Sequence, residues 1–349
     1  MTAYNMGENM EQNVTMSDIA KALGISTVAV SKALSGKNGV SENLRKEVFE
    51  TAEELGYERK EKKKKGKTSV TVGVVVADRF MAENRSYYWQ IYQELTFAAK
   101  QKQYFTLLEV IDQKAEKAGE LPKLLQGSID CLIVLGAFSG KYLDMLNRKA
   151  VVPLVGLDTI YEQINGDAVI ADNTIGGYRM TEYLIQSGYH RIGYVGTLKA
   201  TPSIDDRYMG YCKAMFFYGL SVQEAWLIKD RDIESGRMDT EECFRLPEKH
   251  DMPEAFFCNS DLSAMILIGK LRDKGLKVPE DVSVVGFDHF LPEPSEDLQL
   301  TTYEVDIRGM AYEVMELIKD RMEKRDRPYR LLTVRGKTVS GKTVKIRND

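Results

Sequence analysis

A few polar side chains that follow apolar runs are the residues best suited to bind a small molecule. Arg207 stands near the start of a predicted helix, and Asp261 and Asp288 each follow an apolar run that reads as a strand. Guanidinium and carboxylate groups form strong, paired hydrogen bonds with polar partners such as hydroxyl groups. If these three side chains meet in the fold, they suit a polyhydroxylated ligand.

Two aromatic residues, Tyr87 and Tyr88, open the helix that is predicted after the first apolar run of the main body. Aromatic faces can cover the apolar C–H patches of a sugar ring, so they complement the polar trio. Each residue also has a structural explanation: core packing for the tyrosines, a salt bridge between Arg207 and Asp288, and a helix N-cap for Asp261. Their shared position at the ends of predicted strands favours a binding site.

The sequence lacks the motifs that would predict an enzyme. It has no glycine-rich phosphate loop after the first strand, no Gly-x-Ser-x-Gly motif and no histidine placed beside a nucleophile. The cysteines and histidines are scattered: Cys131, Cys212, Cys243, Cys258, His190, His250 and His289. Their spacing matches neither a zinc site nor a disulfide scaffold, so we predict no catalytic residue, metal or cofactor.

A second set of candidates lies in residues 14–57, which read as three short helices. Thr15, Ser26 and Ser41 are suited to cap them, and Gly24 marks a tight turn between the first two. Short side chains and one cation occupy the second helix and its cap: Ser26, Thr27, Val28, Ala29, Ser31 and Lys32. Such a helix can approach base edges in a major groove. The pattern predicts a helix-turn-helix; the alternative is a plain helical hairpin that packs on another part of the protein.

From Val70 onward, β-branched apolar runs alternate with helical periods. About ten strands and seven helices are predicted, and the last predicted strand ends at Val305. Continuously apolar strands that alternate with helices predict parallel sheets covered on both faces. Since ten strands exceed one ordinary open sheet, residues 70–349 are predicted to form an α/β body of two doubly wound lobes.

A basic segment, residues 58–69, separates these two regions. It contains six lysines and one arginine, although the whole chain has a net charge of −4. We interpret it as a linker that contacts DNA phosphates, with a solvated spacer as the alternative. Residues 1–13 are predicted to be disordered. The chain has no hydrophobic signal region and no apolar run of about 18 residues, so we expect a cytoplasmic protein.

The N-terminal pattern T-x-x-D-I-A-x-x-x-G-I-S-x-x-x-V-S-K-x-L, which closes with A-E-E-L-G-Y, resembles the DNA-binding headpiece of the lactose-repressor/galactose-repressor (LacI/GalR) family. Segments of the body are similar to the same family: V-I-A-D-N-T-I-G-G-Y at Val169, G-Y-H-R-I-G-Y-V-G at Gly188, R-Y-M-G-Y at Arg207, F-F-C-N-S-D-L-S-A at Phe256 and V-P-E-D-V-S-V-V-G-F-D at Val278. The resemblance covers nearly the whole chain from Val14. It implies an all-α helix-turn-helix headpiece joined to a two-lobed body like that of periplasmic binding proteins.

This resemblance implies a DNA-binding regulator, most simply a repressor, whose affinity for a palindromic operator is controlled by a small effector between the lobes. The family is dimeric, so a homodimer is expected. A sugar, disaccharide or glycoside is the expected effector, with a phosphorylated or nucleobase effector and an activator as open alternatives. A transporter's solute-binding protein would share the two lobes but would need a secretory signal, and a doubly wound enzyme would leave the helix-turn-helix unexplained.

Residue by residue, the resemblance implies that the effector-binding residues are Tyr87, Tyr88, Arg207, Asp261 and Asp288. Ser260 stands before Asp261 where the family often has asparagine. A pocket aromatic that the family has near residues 231–236 is not evident here. The family's lobe boundaries imply one lobe of about residues 70–187 and 302–329 and another of about 188–301 and 330–349.

For DNA, the resemblance implies contacts by Thr15, Ser26, Thr27, Val28, Ser31, Lys32, Ser41 and Arg45. Thr27 and Val28 would lie nearest the bases, and Lys32 stands where the family usually has arginine. Family members usually continue with a hinge helix whose leucine wedges into the minor groove. Residues 58–69 contain no Leu, Ile, Val or Met, so lysine–phosphate contacts are expected in its place.

Overall fold

The computed structural model describes residues 14–34, 40–55, 57, 70–81, 86–160, 164–238, 240–291, 299–324 and 326–347. The chain separates into two compact units, one up to Thr68 and one from Ser69 onward. The predicted disordered residues 1–13 and the predicted linker, residues 58–69, lie outside the described residues. None of the helices in the described part of the chain is long and apolar enough to cross a membrane.

The N-terminal unit consists of three short helices. They are α1 (Met16–Leu23), α2 (Thr27–Leu34) and α3 (Glu42–Glu54). Each helix contributes a fully buried aliphatic residue to one small core, namely Ile19, Val30 and Val48. Gly24 has φ 65° and turns the chain between α1 and α2, a left-handed conformation that glycine adopts without strain. The predicted helix-turn-helix is confirmed.

The first lobe of the body is built on a six-stranded sheet. Its strands are β1 (Thr71–Ala77), β2 (Phe105–Ile111), β3 (Cys131–Leu135), β4 (Leu154–Leu157), β5 (Asp167–Ala171) and β11 (Leu331–Val334). All pairs are parallel, in the order β11-β5-β4-β3-β1-β2. Its helices are α4 (Tyr87–Gln101), α5 (Gln113–Ala118), α6 (Gly140–Lys149) and α10 (Ile307–Glu323). Val74 and Val75 are both fully buried in different core clusters, as expected for a sheet that is covered on both faces.

The second lobe is built on a four-stranded parallel sheet. Its strands are β6 (Ile192–Val195), β7 (Leu227–Ile228), β8 (Ala255–Cys258) and β9 (Ser283–Val285). They lie in the order β7-β6-β8-β9. Its helices are α7 (Asn173–Gln186), α8 (Pro202–Phe217) and α9 (Asp261–Asp273). The predicted α/β body with parallel sheets is thus confirmed.

The first crossing between the lobes differs from the prediction. The chain was expected to leave the first lobe near Ser187, but α7 already packs closely against α8 of the second lobe. A Cβ atom on Gly177 would lie 2.3 Å from the carbonyl oxygen of Arg207, and one on Gly210 would lie 2.2 Å from that of Thr174. These two glycines allow the helix backbones to touch, which places the crossing at the start of α7.

The last crossing also differs from the prediction. Residues 330–349 were expected to belong to the second lobe, but β11 pairs with β5 and extends the first sheet by one strand. A short antiparallel ribbon of β10 (Thr302–Glu304) and β12 (Lys337–Val339) follows. Only after it does the chain reach the second lobe, where the Val284 N–H donates to the Thr343 carbonyl at 2.9 Å. Pairing with an otherwise open sheet edge explains why the late strand stays in the first lobe.

Candidate functional site

A cavity of about 830 Å³ lies between the two lobes, at the carboxyl ends of their strands. This volume is in the range of small-molecule binding sites. Four of the predicted effector-binding residues line it: Tyr87, Tyr88, Arg207 and Asp288. The structure therefore brings together, from both lobes, most of the side chains that the sequence singled out.

Arg207 is held rigidly at the inner wall of the cavity. Its side chain is buried, its Nε donates to Asn173 Oδ1 at 2.8 Å, and its Nη1 donates to the Asn259 carbonyl at 2.6 Å. The guanidinium also lies 4.0 Å from the centre of the Phe287 ring. Its partners are neutral, and among the described residues it has no salt bridge to a carboxylate. Arg207 can therefore present its positive charge to a ligand.

Asp288 follows β9 shortly after its last residue, Val285, in a backbone conformation that is costly for a residue with a side chain. Its φ is 85°, and that of the next residue, His289, is 54°. The carboxylate accepts a hydrogen bond from the Phe290 N–H at 3.1 Å. Burial raises the pKa of Asp288 to about 7, while Arg207 opposes this shift. Such fixed, desolvated carboxylates are typical of binding sites.

Asp158 is a further candidate, which the sequence analysis missed. It follows β4, has φ 58°, is buried, and lines the cavity. Its Oδ1 atom has no hydrogen-bond partner within the described part of the chain. Burial raises the pKa of Asp158 to about 6, opposed by Arg207 and by a hydrogen bond from Tyr88. Asp158 directly follows the apolar run Leu154–Leu157, so the expectation that polar residues at strand ends form the site also applies to Asp158.

Tyr87 and Tyr88 are placed by the start of α4, where the Ser86 hydroxyl caps the helix by accepting from the Trp89 N–H at 3.1 Å. The Tyr87 hydroxyl is buried and has no partner among the described residues. Its ring packs edge-on against Tyr88 and Phe290, with centroids 5.6 Å and 6.0 Å away. An unpartnered buried hydroxyl is costly, and a ligand could satisfy it.

Asp261 is the exception among the predicted effector-binding residues. Its buried carboxylate accepts a hydrogen bond from Thr302 Oγ1 at 2.5 Å, and the side chain is not part of the cavity wall. Burial and the nearby Asp288 raise the pKa of Asp261 well above its usual value. The alternative that Asp261 caps α9 is wrong, because Ser260 is the N-cap and accepts from the Ser263 N–H at 3.1 Å. Asp261 therefore lies behind the cavity wall and not in it.

Arg231 enters the cavity wall in the region where no pocket aromatic was evident. Its guanidinium pairs with the fully buried Asp230 at 2.7 Å. The same carboxylate accepts from Asn259 Nδ2 at 2.6 Å and Ser263 Oγ at 2.7 Å. Burial favours a higher pKa for Asp230, but the arginine and these hydrogen bonds prevail and hold that pKa well below its usual range. The result is an ionised pair that aims one guanidinium at the cavity.

The predicted DNA-contacting residues of α2 form one exposed surface. Ser26, Thr27, Val28, Ser31 and Lys32 are all exposed, and Val28 retains 62% of its accessible surface. The opposite face of the helix is buried in the headpiece core. Short side chains on the outer face are what close approach to base edges requires.

The other predicted DNA contacts also have structural roles. Thr15 Oγ1 donates to the Asp18 carboxylate at 2.7 Å, and Ser41 Oγ accepts from the Leu44 N–H at 3.4 Å. Arg45 is half-buried on α3. The hydroxyl groups of Thr15 and Ser41 take part in helix capping, and both residues remain exposed to solvent. Contacts of Thr15, Ser41 and Arg45 with DNA remain predictions.

Two family models match the chain. "Bacterial regulatory proteins, lacI family" matches residues 15–60, and "Periplasmic binding protein-like domain" matches residues 181–344. The first covers the helix-turn-helix unit. The second begins within α7, continues through the second lobe and also includes α10 and β11 of the first lobe.

Several curated relatives resemble the chain over almost its full length. The "HTH-type transcriptional repressor PurR" of Aliivibrio salmonicida is 25% identical over 334 residues, which are 95% of this chain and 98% of that protein. The "HTH-type transcriptional repressor CytR" of Escherichia coli K12 is 26% identical over 323 residues, 90% of this chain and 92% of that protein. These relatives are transcriptional repressors rather than enzymes.

Solved structures share the fold. A complex of the transcriptional regulator CelR with cellobiose has a TM-score of 0.66 at 21% identity, covering 95% of this chain and all of that one. The lac repressor dimer bound to operator and the anti-inducer ONPF has a TM-score of 0.66 at 20% identity, covering 96% and 100%. The chain thus combines a lacI-family helix-turn-helix domain with a periplasmic-binding-protein-like domain, and its relatives over almost the full length are DNA-binding transcriptional repressors.

Proposed function

We propose that this protein represses transcription from a palindromic operator and that a small sugar-type effector, bound between the lobes, controls its affinity for that operator. The observation that supports this proposal most directly is the convergence of Arg207, Asp288 and Asp158 on one cavity. The same cavity contains the Tyr87 hydroxyl, which has no hydrogen-bond partner among the described residues. Fixed hydrogen-bond donors and acceptors, next to aromatic rings, suit a ligand that has several hydroxyl groups.

Control by an effector requires two states that bind the ligand with different affinity. The cavity is shared by both lobes, so a ligand that contacts Tyr87 on one side and Arg207 on the other stabilises one mutual orientation of the lobes. Rotation of the lobes in a dimer would then change the spacing of two headpieces on DNA. In this proposal the body supplies the signal, and α2 of the headpiece supplies the operator contacts.

A homodimer is part of the proposal, and the first lobe offers an apolar surface for it. The large apolar side chains that remain exposed on α4 and on the sheet-edge strand β2 include Trp89, Phe97, Phe105, Leu107 and Val110. Two-fold pairing of such a surface would bury it and would match a palindromic operator. The solved lac repressor structure is itself a dimer on operator DNA.

The test is operator binding by the full-length protein, measured by fluorescence anisotropy on a duplex from upstream of its own gene. A panel of mono- and disaccharides is then titrated into the complex. We expect affinity well above that for a shuffled duplex, and a shift in operator affinity with a subset of the sugars. Binding no tighter than to the shuffled duplex, for every palindromic site tried, would refute the proposal.

A further inference from the structure

Among the described residues, cationic side chains outnumber carboxylates on the wall of the cavity between the lobes. Its described lining includes five cationic side chains, Arg79, Arg207, Arg231, Arg237 and Lys270, against two carboxylates, Asp158 and Asp288. Two of these arginines have a carboxylate partner behind the wall, Glu116 for Arg79 and Asp230 for Arg231. The salt bridges of the described residues include none for Arg207 or Lys270. A neutral sugar would leave this excess of cationic donors only partly used.

Arg79 supplies a guanidinium from the first lobe. Its Nη1 donates to Glu116 at 2.6 Å, and its Nη2 donates to the Ala137 carbonyl at 2.6 Å, so its orientation is fixed. The side chain lies beside Gly236 of the second lobe, where an added Cβ would be 3.8 Å from Arg79 Cβ. Gly236 has φ 71°, which is a glycine conformation, and it brings this loop alongside the arginine.

Arg231 supplies a second guanidinium from the opposite lobe. Its Nε and Nη2 bond to Asp230, and Nη2 also reaches Asn259 Oδ1 at 3.4 Å. Its Nη1 has no hydrogen bond among the described residues. A buried ion pair such as Arg231 with Asp230 carries a large desolvation cost. A ligand that binds the outer edge of the Arg231 guanidinium would offset this desolvation cost.

Arg237 also lines the cavity, and it ends a hydrogen-bonded turn. Ser235 Oγ donates to Asp232 Oδ1 at 2.7 Å, and the Ser235 N–H donates to the same atom at 2.8 Å. The Asp232 N–H donates to the Arg237 carbonyl at 2.8 Å, which closes the turn. This turn holds Gly236 beside Arg79, and Arg237, the next residue, also lines the cavity.

We propose that the effector carries an anionic group, a phosphate or a carboxylate, which binds at the wall formed by Arg79, Arg231 and Arg237. Its hydroxyl groups would meet Arg207, Asp158 and Asp288. Arginine is the residue that matches the planar, paired acceptor geometry of both anions. Because Arg79 belongs to one lobe and the other two arginines to the other, the anion would bridge the lobes and favour their closure. This inference rests on the proposed effector site and adds the chemical class of its ligand.

The test compares matched sugars on the full-length protein by isothermal titration calorimetry. Glucose, galactose and fructose are paired with their 6-phosphates, glucose and galactose also with their uronates, and inorganic phosphate is titrated alone. We expect at least one anionic member to bind about tenfold or more tightly than its neutral parent. The phosphate and uronate arms then tell which anion is preferred. The inference is overturned if every neutral sugar binds as tightly as its anionic partner or more tightly, or if no anionic member binds. In either case, release of the operator by a neutral sugar would still support the proposed repressor function.

Variants test the location of the anion. The double variant Asp230→Asn with Arg231→Gln removes both charges of the buried pair and leaves no unpaired carboxylate, and Arg237→Gln removes the charge of an exposed side chain on the same wall. We expect each variant to weaken binding of the anionic ligand about tenfold more than binding of its neutral parent. Lys229→Gln is the matched control, since Lys229 is an exposed cation outside the cavity wall. Equal losses for the anionic and the neutral ligand would place the anion elsewhere.

Discussion

The Tyr303 hydroxyl lies 2.9 Å from both oxygens of the buried Asp172 carboxylate, and this pair joins two of the connections between the lobes. Asp172 ends the first connection just before α7, and Tyr303 belongs to β10 in the second. The Gly336 N–H, in the third connection, donates to the same carboxylate at 3.1 Å. One carboxylate thus links all three connections, so any rotation of the lobes has to pivot on it or break it.

The first prediction concerns this pivot. Tyr303→Phe should lower the free energy of unfolding by about 1.5–3 kcal/mol, because the substitution removes the hydrogen bond that the tyrosine hydroxyl donates to the buried Asp172 carboxylate. It should also change the effector-induced shift in operator affinity, since the connections move relative to one another. Tyr211→Phe is the control: Tyr211 is equally buried, but its hydroxyl donates to the Ile192 carbonyl within one lobe at 2.8 Å. Urea unfolding and operator titrations of both variants measure the difference, and equal effects would argue against a pivot.

The second prediction concerns Arg207. Arg207→Lys keeps the charge but cannot reproduce the two fixed bonds to Asn173 and the Asn259 carbonyl. Effector affinity should fall by roughly tenfold or more, while operator affinity without effector stays near the original value. Arg179→Lys, on an exposed position of α7, is the matched control. Calorimetry and anisotropy separate the two affinities, and an unchanged effector affinity would exclude Arg207 from the site.

The layout of the fold was predictable because alternating apolar strands and helices are encoded locally. The late strand β11 was missed because Leu331–Val334 is only half-buried and becomes a strand through its pairing with β5, far away in the sequence. A four-residue run of this kind has no local signal strong enough to distinguish it from a loop. The first crossing was misplaced for a similar reason, since the close packing of Gly177 on α8 is a long-range property.

The candidate site was partly predictable because polar residues at strand ends converge in any doubly wound sheet. That rule finds Arg207 and Asp288, and it would also have found Asp158. It cannot tell which way a side chain turns, and Asp261 turns toward Thr302 instead of the cavity. Arg231 was missed because its position depends on the buried partner Asp230, which nothing in the local sequence marks as buried.

The third prediction concerns the headpiece. If Lys32 contacts a phosphate, Lys32→Ala should weaken operator and shuffled DNA alike and reduce the slope of log affinity against log salt by about 0.9. Lys21→Ala, on an exposed position of α1 outside the proposed DNA surface, should leave the slope unchanged. Anisotropy titrations between low and moderate salt provide the slopes. A loss confined to one operator base pair would instead assign Lys32 to a base.

The fourth prediction concerns the lysines Lys62–Lys65, which lie outside the described residues. Because residues 58–69 have no apolar residue to wedge into a minor groove, we expect these lysines to bind the DNA backbone. Replacing all four by alanine should reduce the salt slope by as much as about 3.6, at about 0.9 for each phosphate that a lysine no longer neutralises. A variant with glutamines at the same positions controls for chain stiffness and should behave like the alanine variant. An unchanged slope would leave these lysines as a spacer.

The fifth prediction concerns pH and the carboxylate of Asp288. Burial raises its pKa to about 7, above the usual value of 3.8, so the folded protein binds a proton there that the unfolded chain has lost. Between about pH 4 and 7, Asp288 therefore lowers the free energy of unfolding progressively as the pH rises. Above pH 7 its destabilising contribution is constant. Asp288→Asn removes that contribution.

The stability of Asp288→Asn relative to the original protein should therefore increase by at least about 1 kcal/mol between pH 4.5 and 7.5. Urea unfolding of both proteins at several pH values in one buffer series measures this difference. Effector affinity should show the reverse trend in the original protein, rising with pH, since an ionised carboxylate is the better acceptor for ligand hydroxyl groups. Parallel stability curves for the two proteins would show that Asp288 is already ionised at low pH and that Arg207 outweighs its burial.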